Sequence, residues 1–284
     1  MDGLTEPKQA RLLKPPRRKT RLAVLSLYGG FAHKRSFRDV ETFCIFIGYP
    51  RSGHTLIASL LDAHPNAIFA DELNALRFVE AGFNQRQLLY LLLRNSRKSA
   101  AAGRQRTGYS YKVPEQWQGR FKTLQVIGDK MGGDAAVRLK VHPSLLGSVQ
   151  QLLQLETKFI HVMRNPYDII STDSLKRRVP LQQSVDKFFQ RCGAVAYVKS
   201  RVTSSEVYDI RHEEFIADPK LKLQTICHFL RLNGDEAYYE ACASIVFNSP
   251  HRSRHKILWP DNLIQAVRTK LQEFDFFSGY SFEK

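Results

Sequence analysis

The chain has 284 residues, 43% of them apolar and 25% charged, with a formal net charge of +16. The length suits one large α/β domain, or at most two small ones, with a substantial core, and the basic balance favours anionic ligands such as phosphates, sulfated sugars, nucleic acid or an acidic membrane surface. Cys44, Cys192, Cys227 and Cys242 form no C-x-x-C pair, which argues against a disulfide frame or a zinc site, and no stretch approaches the ~20 apolar residues of a membrane span; a reduced, cytoplasmic setting is expected.

Residues 1–38 read as a basic, flexible tail ahead of a domain over 39–284. The first forty positions hold ten Lys/Arg against three acidic residues, a tail that is either solvated or in contact with an acidic surface. The run Phe43-Cys44-Ile45-Phe46-Ile47 is short, apolar and rich in β-formers, as a buried parallel strand requires. A loop over 48–53 and a helix from about Gly53 to Ala63 follow. A strand is expected at Ala67–Ala70 and a leucine-rich helix at Gln85–Arg94. Residues 96–123 read as a long basic loop or mobile lid carrying Tyr109, Tyr111 and Trp117. Beyond it come a strand at Leu124–Ile127, a helix at Pro143–Leu155, an inner strand at Lys158–Met163, a helix opening at Pro166, a long helix at Ser184–Arg201, a strand at Glu206–Ile210 and a helix at Pro219–Leu230. Strands alternating with helices imply a three-layer α/β/α domain around a parallel sheet.

The segment Gly48-Tyr49-Pro50-Arg51-Ser52-Gly53-His54-Thr55 has the spacing of a phosphate-binding loop, G-x-x-x-x-G-K-[ST], with His54 in the lysine position. Backbone N–H groups of such a loop, backed by a helix N-terminus, bind phosphate. Without the lysine the loop is poorly equipped for a triphosphate; Arg51 supplies a planar cation suited to a 5′-phosphate or phosphosulfate.

The segment Tyr49–Leu56 resembles the 5′-phosphosulfate loop of sulfotransferases dependent on 3′-phosphoadenosine-5′-phosphosulfate (PAPS), which usually reads P-[KR]-S-G-T-T. Arg51, Ser52, Gly53, His54 and Thr55 are the positions that the resemblance assigns to the cofactor; His54 replaces the first threonine. Val162-Met163-Arg164-Asn165-Pro166-Tyr167-Asp168-Ile169-Ile170-Ser171-Thr172 is similar to the family's 3′-phosphate segment, an arginine at a strand end with a hydroxyl eight residues on. Register favours Thr172 for that hydroxyl, with Ser171 beside it. An arginine at a strand's C-terminal end also faces the ligand crevice of an open α/β sheet; the alternative for Arg164 is an ion pair with Asp168. The stretch Val207–Phe215 with Asp218-Pro219 resembles a scaffold strand and turn, and Ser249–Lys256 with Trp259-Pro260 resembles the loop that folds over the nucleotide, making Arg252, Ser253 and Arg254 candidate phosphate ligands.

Leu61-Asp62-Ala63-His64-Pro65 looks like a motif of the protein-tyrosine and carbohydrate-type branch, where a glutamate seven residues after the proline is the catalytic base. The matching residue is Glu72. A carboxylate acts as base when burial raises its pKa toward neutrality; the structural alternative is an acid at a helix start. Should Glu72 not serve, His54 is the next candidate proton acceptor. Lys130 resembles the lysine that steadies charge on the leaving phosphate, with Asp129 as its alternative partner. The resemblance implies sulfuryl transfer from PAPS, leaving the product PAP, to a hydroxyl or amine of a small molecule, glycan, lipid or peptide. It requires no metal, no specific nucleic acid and no transmembrane segment. The competing readings are a P-loop kinase-like phosphotransferase, and an inactive nucleotide or nucleic-acid binder in which the aromatic residues of 96–123 stack bases.

Overall fold

The computed structural model describes residues 17–106 and 108–283. Its strands are β1 (Thr42–Gly48), β2 (Ala67–Asp71), the two-residue β3 (Gln105–Arg106) and β4 (Tyr109–Ser110), β5 (Val126–Lys130), β6 (Glu156–Met163) and β7 (Val207–Arg211). The helices are α1 (Arg17–Ala32), α2 (His54–Leu61), α3 (Leu76–Glu80), α4 (Gln85–Ala101), α5 (Gly133–Val141), α6 (Leu145–Leu153), α7 (Pro166–Arg177), α8 (Leu181–Lys199), α9 (His212–Ala217), α10 (Pro219–Phe229), α11 (Glu236–Ala243) and α12 (Asp261–Leu271).

Five strands form one parallel sheet in the order β2-β5-β1-β6-β7. Both faces are covered, and the central β1 is accordingly an almost unbroken apolar run, buried at every position. Successive side chains of β1 still point to opposite faces. Phe43, Ile45 and Ile47 join a core with residues of α4, α5, α6 and α8. Cys44 and Phe46 join a second core with α2, α10 and α11. This is the expected three-layer α/β/α architecture. The chain leaves β1 toward β2 on one side and leaves β6 toward β7 on the other, so the order reverses between β1 and β6. The crevice beyond their C-terminal ends is where an open α/β sheet takes its ligand.

The five sheet strands lie near their expected positions, with one informative shift. The third was expected at Leu124–Ile127, but the paired residues are Val126–Lys130. The apolar run stops at Ile127, whereas the strand continues through Asp129 and Lys130, both buried and both paired. Two elements differ more. Within the segment read as a tail, α1 packs on α4: Gln87 Nε2 donates to Ala23 O (3.2 Å) and Ser26 Oγ (3.1 Å). Gly29 and Gly30 permit the approach, because a Cβ on either would collide with the Tyr90 ring or the Arg86 carbonyl. The rest of that tail, residues 1–16, lies outside the described residues.

The segment read as a mobile lid is pinned. α4 runs through Ala101, and β3 and β4 form a small antiparallel ladder after it. Asp62 of α2's C-terminal turn then gathers the region. Its carboxylate accepts from Phe69 N (2.6 Å), Ser96 Oγ (2.6 Å) and Gly119 N (2.9 Å), and it pairs with the buried Arg104 guanidinium. Gln118 adds bonds to Ser59 O and Tyr111 O. The Leu-Asp-Ala-His-Pro motif is therefore a structural tie between α2, β2, α4 and residues 103–119.

Breaking a buried ion pair from one side leaves the partner charged and unpaired. Asp62→Ala should lower unfolding free energy by about 3–5 kcal/mol, read from the denaturant midpoint at constant slope. A loss below about 1 kcal/mol, the worth of an exposed pair, would show that water replaces the carboxylate.

Candidate active site

The β1–β6 crevice opens into a cleft of about 600 Å³. Its floor is the loop between β1 and α2. Gly53 takes φ 101°, a left-handed value that only glycine adopts freely, and a Cβ there would strike the His212 ring. This puts the N-terminus of α2 at the cleft, where unbonded backbone N–H groups and the helix dipole favour an anion.

His54 does not face the ligand side with its ring. Nε2 lies 3.1 Å from Ile47 O and Nδ1 lies 3.0 Å from Ser52 Oγ. A carbonyl only accepts, so Nε2 carries the proton, and Nδ1 accepts in the neutral imidazole. Burial pushes the pKa down to about 3. His54 therefore braces the strand end beneath the loop, with both nitrogens engaged, and cannot be the proton acceptor considered for it. Its backbone N–H is what it offers to an anion. Ser52 is likewise turned inward: its buried Oγ lies 2.8 Å from Tyr49 O and 3.0 Å from His54 Nδ1, and its one proton is shared between these two acceptors. Arg51, Gly53 and Thr55 line the cleft.

On the β6 side, Arg164 Nη1 donates to Arg51 O (3.1 Å) and Nη2 donates to His251 O. The alternative considered for Arg164, an ion pair with Asp168, is not made among the described residues. Asp168 instead takes Arg254, with Oδ2 to Nη1 at 2.7 Å and Oδ1 to the Arg254 backbone N–H at 2.9 Å. That corrects the assignment of Arg254 as a phosphate ligand. Its guanidinium is buried and neutralised, and it anchors the 249–256 segment to α7. Ser253 remains in the cleft. Of the two hydroxyls, Thr172 lines the cleft, whereas Ser171 is buried and accepts from Trp259 Nε1 at 2.8 Å. A helix turns by 100° per residue, so neighbours cannot share one face.

Glu72 follows β2 with φ 56°, four residues ahead of α3. It is not a helix-start acid. Lys130 Nζ, 3% exposed, lies 2.6 Å from Asp71 Oδ1 and 3.1 Å from Glu72 Oε1. Asp129 is not its partner: adjacent strand residues point to opposite faces, and the Asp129 carboxylate accepts from Leu73 N (3.2 Å) and Ala75 N (2.7 Å). Burial raises the Asp129 pKa to about 6. The burial expected of Glu72 is absent, since its side chain is 44% exposed in the open cleft.

Lys176, Arg191, Lys256, His212 and His251 also line the cleft and were not assigned to the phosphates from sequence. Lys176 was within reach of inference, lying one helical turn beyond Thr172. Arg191 sits on α8 with no local motif to mark it. Among the described residues that line the cleft, the cations are Arg51, Lys130, Arg164, Lys176, Arg191 and Lys256 and the carboxylates Glu72 and Asp134. The Nε–H groups of Arg51, Arg164 and Arg191 are buried without hydrogen-bond partners. The buried Arg104 and Arg254 differ, because carboxylates neutralise them. The cleft ones keep an unspent donor each, and among the described residues only Arg191 of the three forms an ion pair, with the exposed Asp134, which fits a polyanionic ligand.

A model of the sulfotransferase family matches residues 44–236. The sulfotransferase domain of the olefin synthase from Synechococcus PCC 7002 is similar in fold, with 17% sequence identity, a TM-score of 0.54, and coverage of 83% of this chain and 94% of that one. The sulfotransferase domain from the curacin biosynthetic pathway is similar as well, at 15% identity, a TM-score of 0.54, and coverage of 82% and 97%. No curated protein matches the chain.

The buried histidines make a prediction about pH. Burial lowers the pKa of His54 and His212 to about 3 and that of His64 to about 4, from an ordinary 6.5. Below pH 6.5 the unfolded chain binds protons that the folded chain refuses, so stability falls as pH drops from 6.5 toward 4. Asp129, with its pKa raised, opposes this below about pH 6. The His54 share is isolated by comparing slopes: the pH dependence of the urea midpoint should be shallower in His54→Gln than in the natural chain. Equal slopes would mean that His54 is not held neutral.

Proposed function

This chain belongs to the sulfotransferase family, and we propose that it transfers a sulfuryl group from PAPS to a hydroxyl or amine of its acceptor. The observation that carries this reading is the bond from Arg164 to the Arg51 carbonyl, which joins two cationic loops in one cleft that also holds Lys130 and Glu72. A nucleotide bearing phosphates at both its 3′ and 5′ positions matches two such centres.

When bound, PAPS would supply the sulfuryl group on its 5′-phosphate. The chain's own residues divide the remaining work. Arg51 and the backbone N–H groups at the start of α2 hold the 5′ end, and Thr55 adds a hydroxyl there. Arg164 and Thr172 hold the 3′-phosphate, with Ser253 beside them. Glu72 takes the acceptor's proton as the acceptor's oxygen or nitrogen bonds to sulfur. Lys130 steadies the negative charge left on the 5′-phosphate as its bond to sulfur breaks. Lys130 also fixes Glu72 at the cleft, so one side chain orients the base and receives the developing charge. The acceptor enters past Tyr109, Tyr111 and Phe247, which stand at the same cleft.

Two measurements test this. Arg164→Ala should weaken PAP binding by about 1.5–3 kcal/mol, the worth of a charge-assisted hydrogen bond. It should weaken adenosine-5′-phosphosulfate, which has no 3′-phosphate, far less. Equal losses for the two ligands would assign Arg164 to holding the Arg51 loop alone.

Glu72→Gln keeps the size of the side chain and removes its basic group. Sulfuryl transfer should fall by roughly 10²–10⁴-fold, the usual worth of a general base, with PAP affinity nearly unchanged. Turnover that survives the change would remove Glu72 from the mechanism.

A further inference from the structure

A helix lying on a protein core ordinarily turns its large apolar side chains inward. α1 does the reverse. Its face toward α4 is made of Ala23, Ser26, Gly29 and Gly30, with Leu22 at the core margin. Its outer face presents Val24, Leu27, Tyr28 and Phe31, spaced i, i+3, i+4 and i+7, with Leu25 alongside. Tyr28 is 75% exposed and Phe31 65%. The other exposed large apolar side chains among the described residues come one each from separate elements or loops, so this stripe is the one contiguous helical set. The glycine contact and the Gln87 bonds fix the roll of α1, which keeps the stripe outward in the folded protein.

The charge around the stripe has one sign. Between Glu6 and Asp39 the sequence holds ten Lys/Arg and no acidic residue. Arg21 precedes the stripe and Lys34, Arg35 and Arg38 follow it, all exposed. Lys34 Nζ lies 4.7 Å from the centre of the Phe31 ring. On α4 the exposed Arg86, Arg94, Arg97 and Lys98 continue the basic surface. A second copy of the chain would bring these cations against their own kind. Nucleic acid would satisfy the charges and leave Val24, Leu25 and Leu27 in water. Aliphatic and aromatic side chains bounded at both ends by Lys and Arg match the boundary between anionic headgroups and acyl chains.

We propose that α1 docks this protein on an anionic lipid surface, with Val24, Leu27, Tyr28 and Phe31 entering the interface and the flanking cations meeting the headgroups. The inference is independent of the chemistry in the cleft.

Flotation of the full chain with phosphatidylcholine vesicles, with and without phosphatidylserine, tests it. The natural chain should float with the phosphatidylserine vesicles and stay behind with the neutral ones. Tyr28→Ser/Phe31→Ser should bind the anionic vesicles roughly tenfold or more weakly, with an unchanged melting temperature because neither side chain supports the core. Failure of the natural chain to float with anionic vesicles overturns the proposal. So does undiminished flotation of the double variant, which would assign binding to charge alone. A sedimenting oligomer of the natural chain that the double variant dissolves would make the stripe a self-interface instead. Binding of single-stranded DNA that the double variant loses, without vesicle binding, would make it a nucleic-acid surface.

Discussion

The hydrogen bond from Arg164 to the Arg51 carbonyl holds the rest of the site in register. The two residues stand 113 positions apart in sequence and follow neighbouring parallel strands, β1 and β6. Neither loop alone encloses an anion. Parallel pairing brings their ends together, and the reversal of strand order between them leaves the space open for a ligand. A carbonyl accepting from a guanidinium then fixes how far the loops can part. The same guanidinium reaches the His251 carbonyl, so the C-terminal segment is gathered to the same point.

Holding so many cations in one cleft has an electrostatic cost that the structure partly offsets. Burial lowers the pKa of Arg164, with Asp168 and Glu213 acting in the opposite direction. Lys130 is covered by Asp71 and Glu72, and Arg254 is neutralised by Asp168. The histidines around the loop solve a related problem. His54 and His212 lie among arginine and lysine, and desolvation keeps both neutral, so they fill space beneath the loop without adding charge. A lysine in place of His54, buried in the same way, would carry its charge into a site with no carboxylate bonded to the ring it replaces. The departure from the lysine-bearing loop is thus a packing solution as much as a change of ligand.

Most of the sheet was legible in the sequence because β1 and β2 are buried apolar runs and β5 and β6 each contain one, whereas β7, Val207-Tyr208-Asp209-Ile210-Arg211, is an edge strand with only Ile210 buried. The helices α1, α3, α5, α9, α11 and α12 were not read from the sequence. α1 packs through glycine and serine, and α3 and α9 have five and six residues, too few for a period to show. In the site, Arg51, Gly53, Thr55 and Arg164 were legible because each belongs to a spaced motif at a strand end. Arg254 misled, since a basic run says nothing about which cation meets a carboxylate: Asp168, the alternative partner considered for Arg164, pairs with Arg254 from 86 residues away. Local spacing identifies candidates for the same helix face; partners contributed by distant segments need the fold.

Two non-glycine residues of the cleft carry positive φ without closing a helix: Arg51 at 74° and Glu72 at 56°. Gln154 and Arg178 have similar values, but they cap the C-termini of α6 and α7, where a left-handed residue is ordinary. Glycine would relieve the strain at Arg51 and Glu72, at about 1 kcal/mol or more per position. It would also delete the guanidinium from the phosphate loop and the carboxylate from the partner of Lys130. In both places the backbone must turn sharply at the end of a strand, and in both the side chain is needed at the turn itself. Strain at these two positions follows from requiring a reactive group at the point where the sheet ends.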